Sequence, residues 1–329
     1  MIRFAREEDV GNIMQFIHDE WKKDHILSSN ESFFRYEHQN GANINFVIST
    51  DTSDQVNGIL GFIPASSSTT IDICTVMWKV AKGVSNPILG VNLLEFLVNS
   101  NKFRTVMSVG INEKTIGIYN FLGFYTGRLN HYVLLNHTIK DFKIAVVEKK
   151  FNLPEFVFDG LYKLREIDTN FEFDFSKFSH QTIYKDSDYF IKRYFKHPIF
   201  KYHIFGVVKG EQITSLIVTR IQEAEGSRIL RIVDFIGQEE ELKYVSGSLY
   251  QYLIDNNLEY ADFYSFGLKA ESLISSNFQE VELNSNELII PNYFSPFTRK
   301  NIKINFFTNS QDLNTLKIFK ADGDQDRPN

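Results

Sequence analysis

Residues 111–124 read INEKTIGIYNFLGF, and four residues in this short stretch suggest that something approaches a short helix closely. Asn112 is a good N-cap, because its side-chain oxygen can take a free N–H of the first helical turn. Gly117 falls inside the helix that follows, where it costs about 1 kcal/mol relative to Ala. A close approach of something to the backbone would account for it. Tyr119 contributes a phenol with an ordinary pKa of ~10, a neutral proton donor at pH 7. Gly123 then stops the helix.

Chemistry-bearing residues concentrate in three more places. Residues 18–38, HDEWKKDHILSSNESFFRYEH, gather three histidines among acids and aromatics. The spacing of His18, His25 and His38 matches no ligand motif, so no metal is expected. Asp72, Asp234 and Asp262 lie in strand-like apolar runs, where a buried carboxylate needs a partner or faces a site. The tail ADGDQDRPN sets Asp322, Asp324 and Asp326 at the spacing that opens an EF-hand loop. Arg327 stands where that loop needs Gly and the position-12 Glu is absent, so calcium is not expected and a solvated tail is the default.

The elements that must position these residues follow from periodicity. At 329 residues the chain is long for one domain, and 43% hydrophobic content supplies two cores. Strand-like runs at 2–4, 45–49, 58–64, 71–80, 104–110 and 131–135 alternate with helical spacing at 7–23, 89–100 and 111–124. This gives β-α-β-β-β-α-β-α-β over about 135 residues, an antiparallel meander followed by one βαβ-like crossover. A similar order returns after residue 160. There the hairpin 202–222 precedes a long strand at 228–236, a helix at 240–256, a strand at 259–266, a short helix at 268–276 and a strand near 287–290. The expected organisation is a first domain at 1–140, a linker at 141–160 and a second, degenerate copy at 161–329.

Composition limits the partners. A net charge of −6 with no dense basic run disfavours nucleic acid. A single cysteine, Cys74, excludes an internal disulfide. The N-terminus MIRFAREEDV has no apolar signal core and no run is long enough to span a membrane, so a cytoplasmic protein acting on a small molecule is expected. The oligomeric state is left open.

The run from Ile71 to Phe124 resembles the core of the GCN5-related N-acetyltransferase superfamily. Its long strand and loop lead to a helix whose N-terminus, in that family, receives the pyrophosphate of acetyl-CoA. Gly90 stands where the family's last loop glycine stands, whereas Ser85 replaces the usual Gln or Arg and Ile88 the first Gly. Asn112, Tyr119 and Leu122-Gly123-Phe124 resemble the second signature, whose tyrosine protonates the leaving thiolate. The resemblance implies an α/β (α+β) fold of two tandem domains, each with a mixed, mostly antiparallel sheet flanked by helices. It also implies acetyl-CoA as co-substrate, contacting Val80, Ser85, Leu89, Gly90, Val91, Asn112 and Tyr119. The acceptor amine must arrive unprotonated, and Asp72, His25, Asp19 and His131 are the base candidates, with His25 preferred and Asp72 second. Acceptor contacts are expected from Trp21, His25, Trp78, His131, Asp234 and Asp262.

In the second half, acids crowd the start of helix 240–256 and would repel a pyrophosphate. The terminal tail and the Trp21–Leu27 run resemble tandem members found with bacterial surface-polysaccharide genes, which implies a nucleotide-linked amino sugar as acceptor and a tail folded back toward the cleft. Two further readings stay open. One is an aminoacyl-tRNA-dependent transferase, since peptidoglycan-bridge enzymes pair two such domains; the other is a silent scaffold that kept the fold.

Overall fold

The computed structural model describes residues 1–67, 71–148 and 153–328. The first half runs β1 (Ile2–Arg6), α1 (Val10–Phe16), α2 (Glu31–His38), β2 (Asn43–Thr50), β3 (Val56–Pro64), β4 (Asp72–Val80), α3 (Leu89–Val98), β5 (Thr105–Val109), α4 (Ile116–Phe121), β6 (Tyr125–Arg128) and β7 (Asn130–Leu135). The single helix expected over 7–23 is instead a 3₁₀ turn at Glu7–Asp9, α1, and a π turn at Ile17–Trp21. α2, which no expected element covers, is capped by Asn30, whose side chain accepts from the Phe33 N–H.

The second half repeats the order with β8 (Tyr162–Glu166), α5 (Ser187–Phe190), β9 (His203–Lys209), β10 (Gln212–Ala224), β11 (Ser227–Ile236), α6 (Leu242–Asp255), β12 (Tyr260–Phe266), α7 (Ala270–Ile274) and β13 (Gln279–Glu280). The expected strand near 287–290 is the short Leu288–Ile289, paired with Val146–Val147 outside both large sheets, and the later strands include β14 (Asn305–Thr308) and β15 (Ile318–Phe319). The β-branched runs Asp72–Val80 and Ser227–Ile236 form the long strand at the heart of each sheet.

Each half is built on a large, mostly antiparallel sheet, and the halves exchange strands. The first sheet runs β1-β2-β3-β4-β5-β14-β6 and the second β8-β9-β10-β11-β12-β7-β13. β7, from the first half of the chain, thus lies between β12 and β13, and β14, from the second half, lies between β5 and β6. Each sheet therefore borrows one strand across the expected boundaries at 140 and 161. In the expected linker, the Lys143, Ile144 and Ala145 N–H groups donate to the Glu259 carboxylate, and residues 149–152 lie outside the described residues.

The core divides by sheet face. One face of the first sheet carries Ile73, Val106 and Phe307 beneath Leu93, Leu94 and Leu97 of α3 and Tyr119 of α4. The other face carries Cys74, Met107, Val109 and Phe306, which pack on Tyr264, Leu316 and Ile318 and join the halves.

Candidate functional site

Each sheet has one parallel pair, and each pair parts. β4 and β5 are in register only at Asp72–Thr105, Ile73–Val106 and Cys74–Met107. β11 and β12 pair only at Leu230–Ala261, Arg231–Asp262 and Ile232–Phe263. Just beyond each pairing the long strand carries a bulge: Gly61 faces Met77 and Phe62 faces Thr75, which leaves Val76 as the extra residue. In the second sheet Val233 has that place, between Ile232 and Asp234. A bulge turns the strand and frees its backbone groups at the mouth of the gap.

The two gaps differ in what fills them. β15 enters the second, pairing with β12 at Ser265–Phe319 and Phe266–Ile318. The Phe319 ring stacks on Phe263 at 5.7 Å and meets Phe235 edge-on at 6.4 Å, and the residue is 2% exposed. In the first gap no described segment pairs with β4 beyond Cys74 on the β5 side.

The helix starts differ in the same sense. Glu239, Glu240 and Glu241 open the second-half helix, with Glu241 accepting from Thr214 and Ser215 and Glu239 paired with Lys317. α3 in the first half has no acid in its first turn and no side-chain cap at Ile88. Ser85 and Ile88 are exposed on the loop before it, Leu89 is buried, and Gly90 and Val91 are half-buried. Val80 and Trp78 are half-buried at the end of β4, and the Trp78 indole N–H donates to the Gly90 carbonyl at 2.9 Å. A Cβ at Gly90 would lie 3.3 Å from that indole nitrogen, so the glycine lets the loop close over Trp78.

Asn112 caps the next helical segment by accepting from the Lys114 N–H at 2.9 Å. A Cβ at Gly117 would meet nothing within 4 Å, so that side of α4 is open rather than packed. Gly123 takes φ +78° and ends the helix. Tyr119 is buried, its ring stacked on Phe307 at 4.0 Å, with Trp78 at 5.9 Å. Burial drives the phenol's pKa well above its ordinary value, against a hydrogen bond with Thr115, and keeps it a neutral donor.

The other expected residues fall into three groups. Asp72 accepts from Arg104 Nε at 2.8 Å, from Arg104 Nη2, and from the Ile183 and Tyr184 N–H groups at 2.9 Å. Those bonds make it a clasp between the two halves. His25 is buried and caps the turn Ile26–Ser29 by accepting from the Leu27 N–H, Asp19 pairs with His18 on the surface, and Trp21 is exposed. His131 and Asp262 come together in the second sheet, 3.3 Å apart, with Tyr264 stacked 3.7 Å from the imidazole. Burial would raise Asp262, but the Arg231 guanidinium at 2.8 Å outweighs it and holds the carboxyl at about 2. Asp234 lies elsewhere, accepting from Lys185 and the Tyr194 hydroxyl.

The C-terminal tail is the feature that the local sequence pattern conceals. Beyond β15 it crosses the face that joins the halves, held by ion pairs on both sides. Asp322 pairs with Lys185 at 2.7 Å, and Asp326 with Arg220 at 2.6 Å and Arg193 at 3.5 Å. Arg327 pairs with Glu37 of α2 in the first half. Gly323 passes so close to β5 that a Cβ would fall 2.6 Å from that of Val109, and one at Gly110 would fall 2.5 Å from Gln325 Nε2. Asp324, between these anchors, is exposed. Part of it reaches solvent, while the protein packed around the remainder desolvates the carboxyl and, only partly offset by Arg327, raises it to about 7. Asn329, the last residue of the tail, lies outside the described residues. Near the tail, a recess of about 150 Å³ between the halves is lined by residues that include Tyr36, Asn45, Tyr189, Lys192 and Arg327.

A long bulged strand, a parallel neighbour that parts from it and a helix starting at the gap define the fold of the GCN5-related N-acetyltransferases, here in tandem. Among solved structures the chain is similar to a GCN5-related N-acetyltransferase from Anabaena variabilis ATCC 29413, with a TM-score of 0.58 and 10% identity over 94% of this chain and 72% of that one. It is also similar to a conserved protein of unknown function from Enterococcus faecalis V583, a probable N-acyltransferase, with a TM-score of 0.54 and 6% identity over 93% and 72%. No protein-family profile and no curated protein matches the sequence. Among the described residues, no helix is long and apolar enough to cross a membrane.

Proposed function

We propose that the chain is an acetyl-CoA-dependent N-acyltransferase that works in its first half. The observation that carries this reading is the asymmetry of the gaps: the second is filled by Phe319, while the first keeps its bulge at Val76 and an uncapped, acid-free helix start on its rim. Those N–H groups and the helix dipole suit a pyrophosphate. When bound there, acetyl-CoA supplies an acyl group activated as a thioester. The N–H groups freed at the Val76 bulge can donate to a developing oxyanion, and Tyr119, kept neutral by burial, holds the proton that the departing thiolate needs.

For the acceptor we propose a nucleotide-linked amino sugar of surface-polysaccharide synthesis, handled in the cytoplasm where acetyl-CoA is made. The recess near the tail supports this, since it offers amide, hydroxyl and aromatic groups for a sugar and the Lys192 ammonium for a phosphate. The net charge of −6 weighs against the aminoacyl-tRNA reading. The departures at Ser85 and Ile88 favour a silent scaffold, whereas the intact run from Asn112 to Phe124 favours the enzyme.

Tyr119→Phe tests the reading. With acetyl-CoA and a panel of nucleotide amino sugars, it is expected to lower kcat by about 10²-fold or more, with acetyl-CoA affinity within twofold of wild type. Unchanged turnover removes Tyr119 from the reaction, and a wild type that transfers no acyl group to any panel member favours the scaffold.

A further inference from the structure

We propose that Asp324, delivered by the C-terminal tail, is the base that takes the proton from the acceptor amine. This rests on the acyl-transfer reading above. Three acids share the same spacing in the tail, and their partners separate them. Asp322 is buried against Lys185, and Asp326 is buried against Arg193, Arg220 and the Tyr202 hydroxyl. Asp324 alone of the three is exposed. The ion pairs on either side fix the backbone that presents it, so an open carboxylate is held in one place.

That place is the edge of the first gap. Its neighbours Gly323 and Gln325 press on Val109 and Gly110, the end of β5 just past the point where the strands part. Arg327 from the tail itself, Glu37 from α2 and the Cys74 thiol from β4 share this environment. Burial pushes the thiol up, so it stays neutral, and Glu37 is paired with Arg327. Asp324 therefore has no cation to itself, and a base poised near the working pH is what proton abstraction from an ammonium requires.

The two proton-handling groups also stand on opposite faces of the sheet. Tyr119 belongs to the cluster under α3 and α4, whereas the tail crosses the face that bears Cys74 and Val109. A nucleophile entering from one side and a leaving group departing on the other need that division. The protons balance. The acceptor ammonium gives one proton to Asp324, and its nitrogen forms the C–N bond as the C–S bond breaks and leaves its electron pair on sulfur. Tyr119 protonates the sulfur and is restored by the second proton that the nitrogen sheds, through solvent. Asp324 releases its proton to solvent through its exposed side, so each turnover frees one proton.

The experiment compares wild type with Asp324→Asn and Asp324→Glu on acetyl-CoA and the nucleotide amino-sugar panel. Asp324→Asn is expected to lower kcat by about 10²- to 10⁴-fold and to abolish the acidic limb of the kcat/KM profile, while acetyl-CoA affinity stays within twofold. Asp324→Glu is expected to restore part of the rate with a displaced limb. In parallel, the difference between ¹³C-carboxyl spectra of aspartate-labelled wild type and Asp324→Asn isolates the Asp324 resonance, which is expected to titrate near pH 7. A midpoint below 5, or full rate with an unaltered acidic limb in Asp324→Asn, overturns the proposal while the acyl-transfer reading stands. A wild type that binds no acetyl-CoA overturns both.

Discussion

The two halves of the molecule carry the same gap and fill it differently. In the second half, β15 completes the parted pair and Phe319 fills the space between Phe235 and Phe263. Three glutamates at the helix start there make an anion unwelcome. In the first half no described segment pairs on the β5 side of Val76–Val80, and the helix start is free of acids. The fold alone therefore does not make a cofactor site. A site needs a gap that the chain leaves open, and the segment that closes one gap here continues past the edge of the other. By that route the filled half becomes an anchor for the tail, and the tail becomes a wall of the open half.

The largest expected effect comes from emptying the filled gap. Phe319→Ala should cost about 3–5 kcal/mol of stability, because a fully buried ring between two others leaves a cavity. Acetyl-CoA affinity should change little in the protein that remains folded; a large loss of affinity at unchanged stability would mean that the second gap is the binding one. Chemical denaturation and calorimetric titration of the same sample read both quantities. Copying the acidic helix start onto α3 is the next step. Ile88→Glu, at an exposed position, should weaken acetyl-CoA by roughly 3- to 10-fold while raising stability by a few tenths of a kcal/mol, since an acid there favours the helix dipole but repels a pyrophosphate. Unchanged affinity would move the phosphates away from α3.

A third effect concerns pH. The folded-state value of Asp324, about 7, lies above the usual 3.8, so the native state holds this proton more tightly than the unfolded chain. Its contribution to stability is fully present below about pH 4 and is lost as pH rises toward 7. Asp324→Asn lacks that loss, so its Tm should match wild type near pH 4 and exceed it increasingly up to pH 7. A difference that stays constant across this range would place Asp324 in an ordinary solvated setting. Asp262 runs the other way: held at about 2 by Arg231, it stabilises the fold above pH 4, and that support is lost as pH falls through 2.

Much of this architecture was legible in the sequence because it is written locally. The long β-branched runs Asp72–Val80 and Ser227–Ile236 mark the long strands, and Asn112 and Gly123 mark both ends of their helical segment. The strand exchange was not legible. Asn-Phe-Phe-Thr at 305–308 reads as any short apolar run, and nothing in it names β5 and β6 as partners. The tail was only half legible: its resemblance points toward the cleft, but the burial of Asp322 and Asp326 depends on Lys185, Arg193 and Arg220, more than 100 residues away. Equal spacing hid the difference that matters, one open carboxylate between two locked ones. Asp72 shows the converse, since a strand-borne acid near the site reads as a base until Arg104 and two backbone N–H groups are seen around it.

The most direct test of the asymmetry is hydrogen exchange on the full chain with and without saturating acetyl-CoA. Protection is expected in residues 76–91 and 110–121, which border the first gap, and not in 233–246, which border the second. No protection at millimolar acetyl-CoA, or protection confined to 233–246, would contradict the assignment of the first half as the working site.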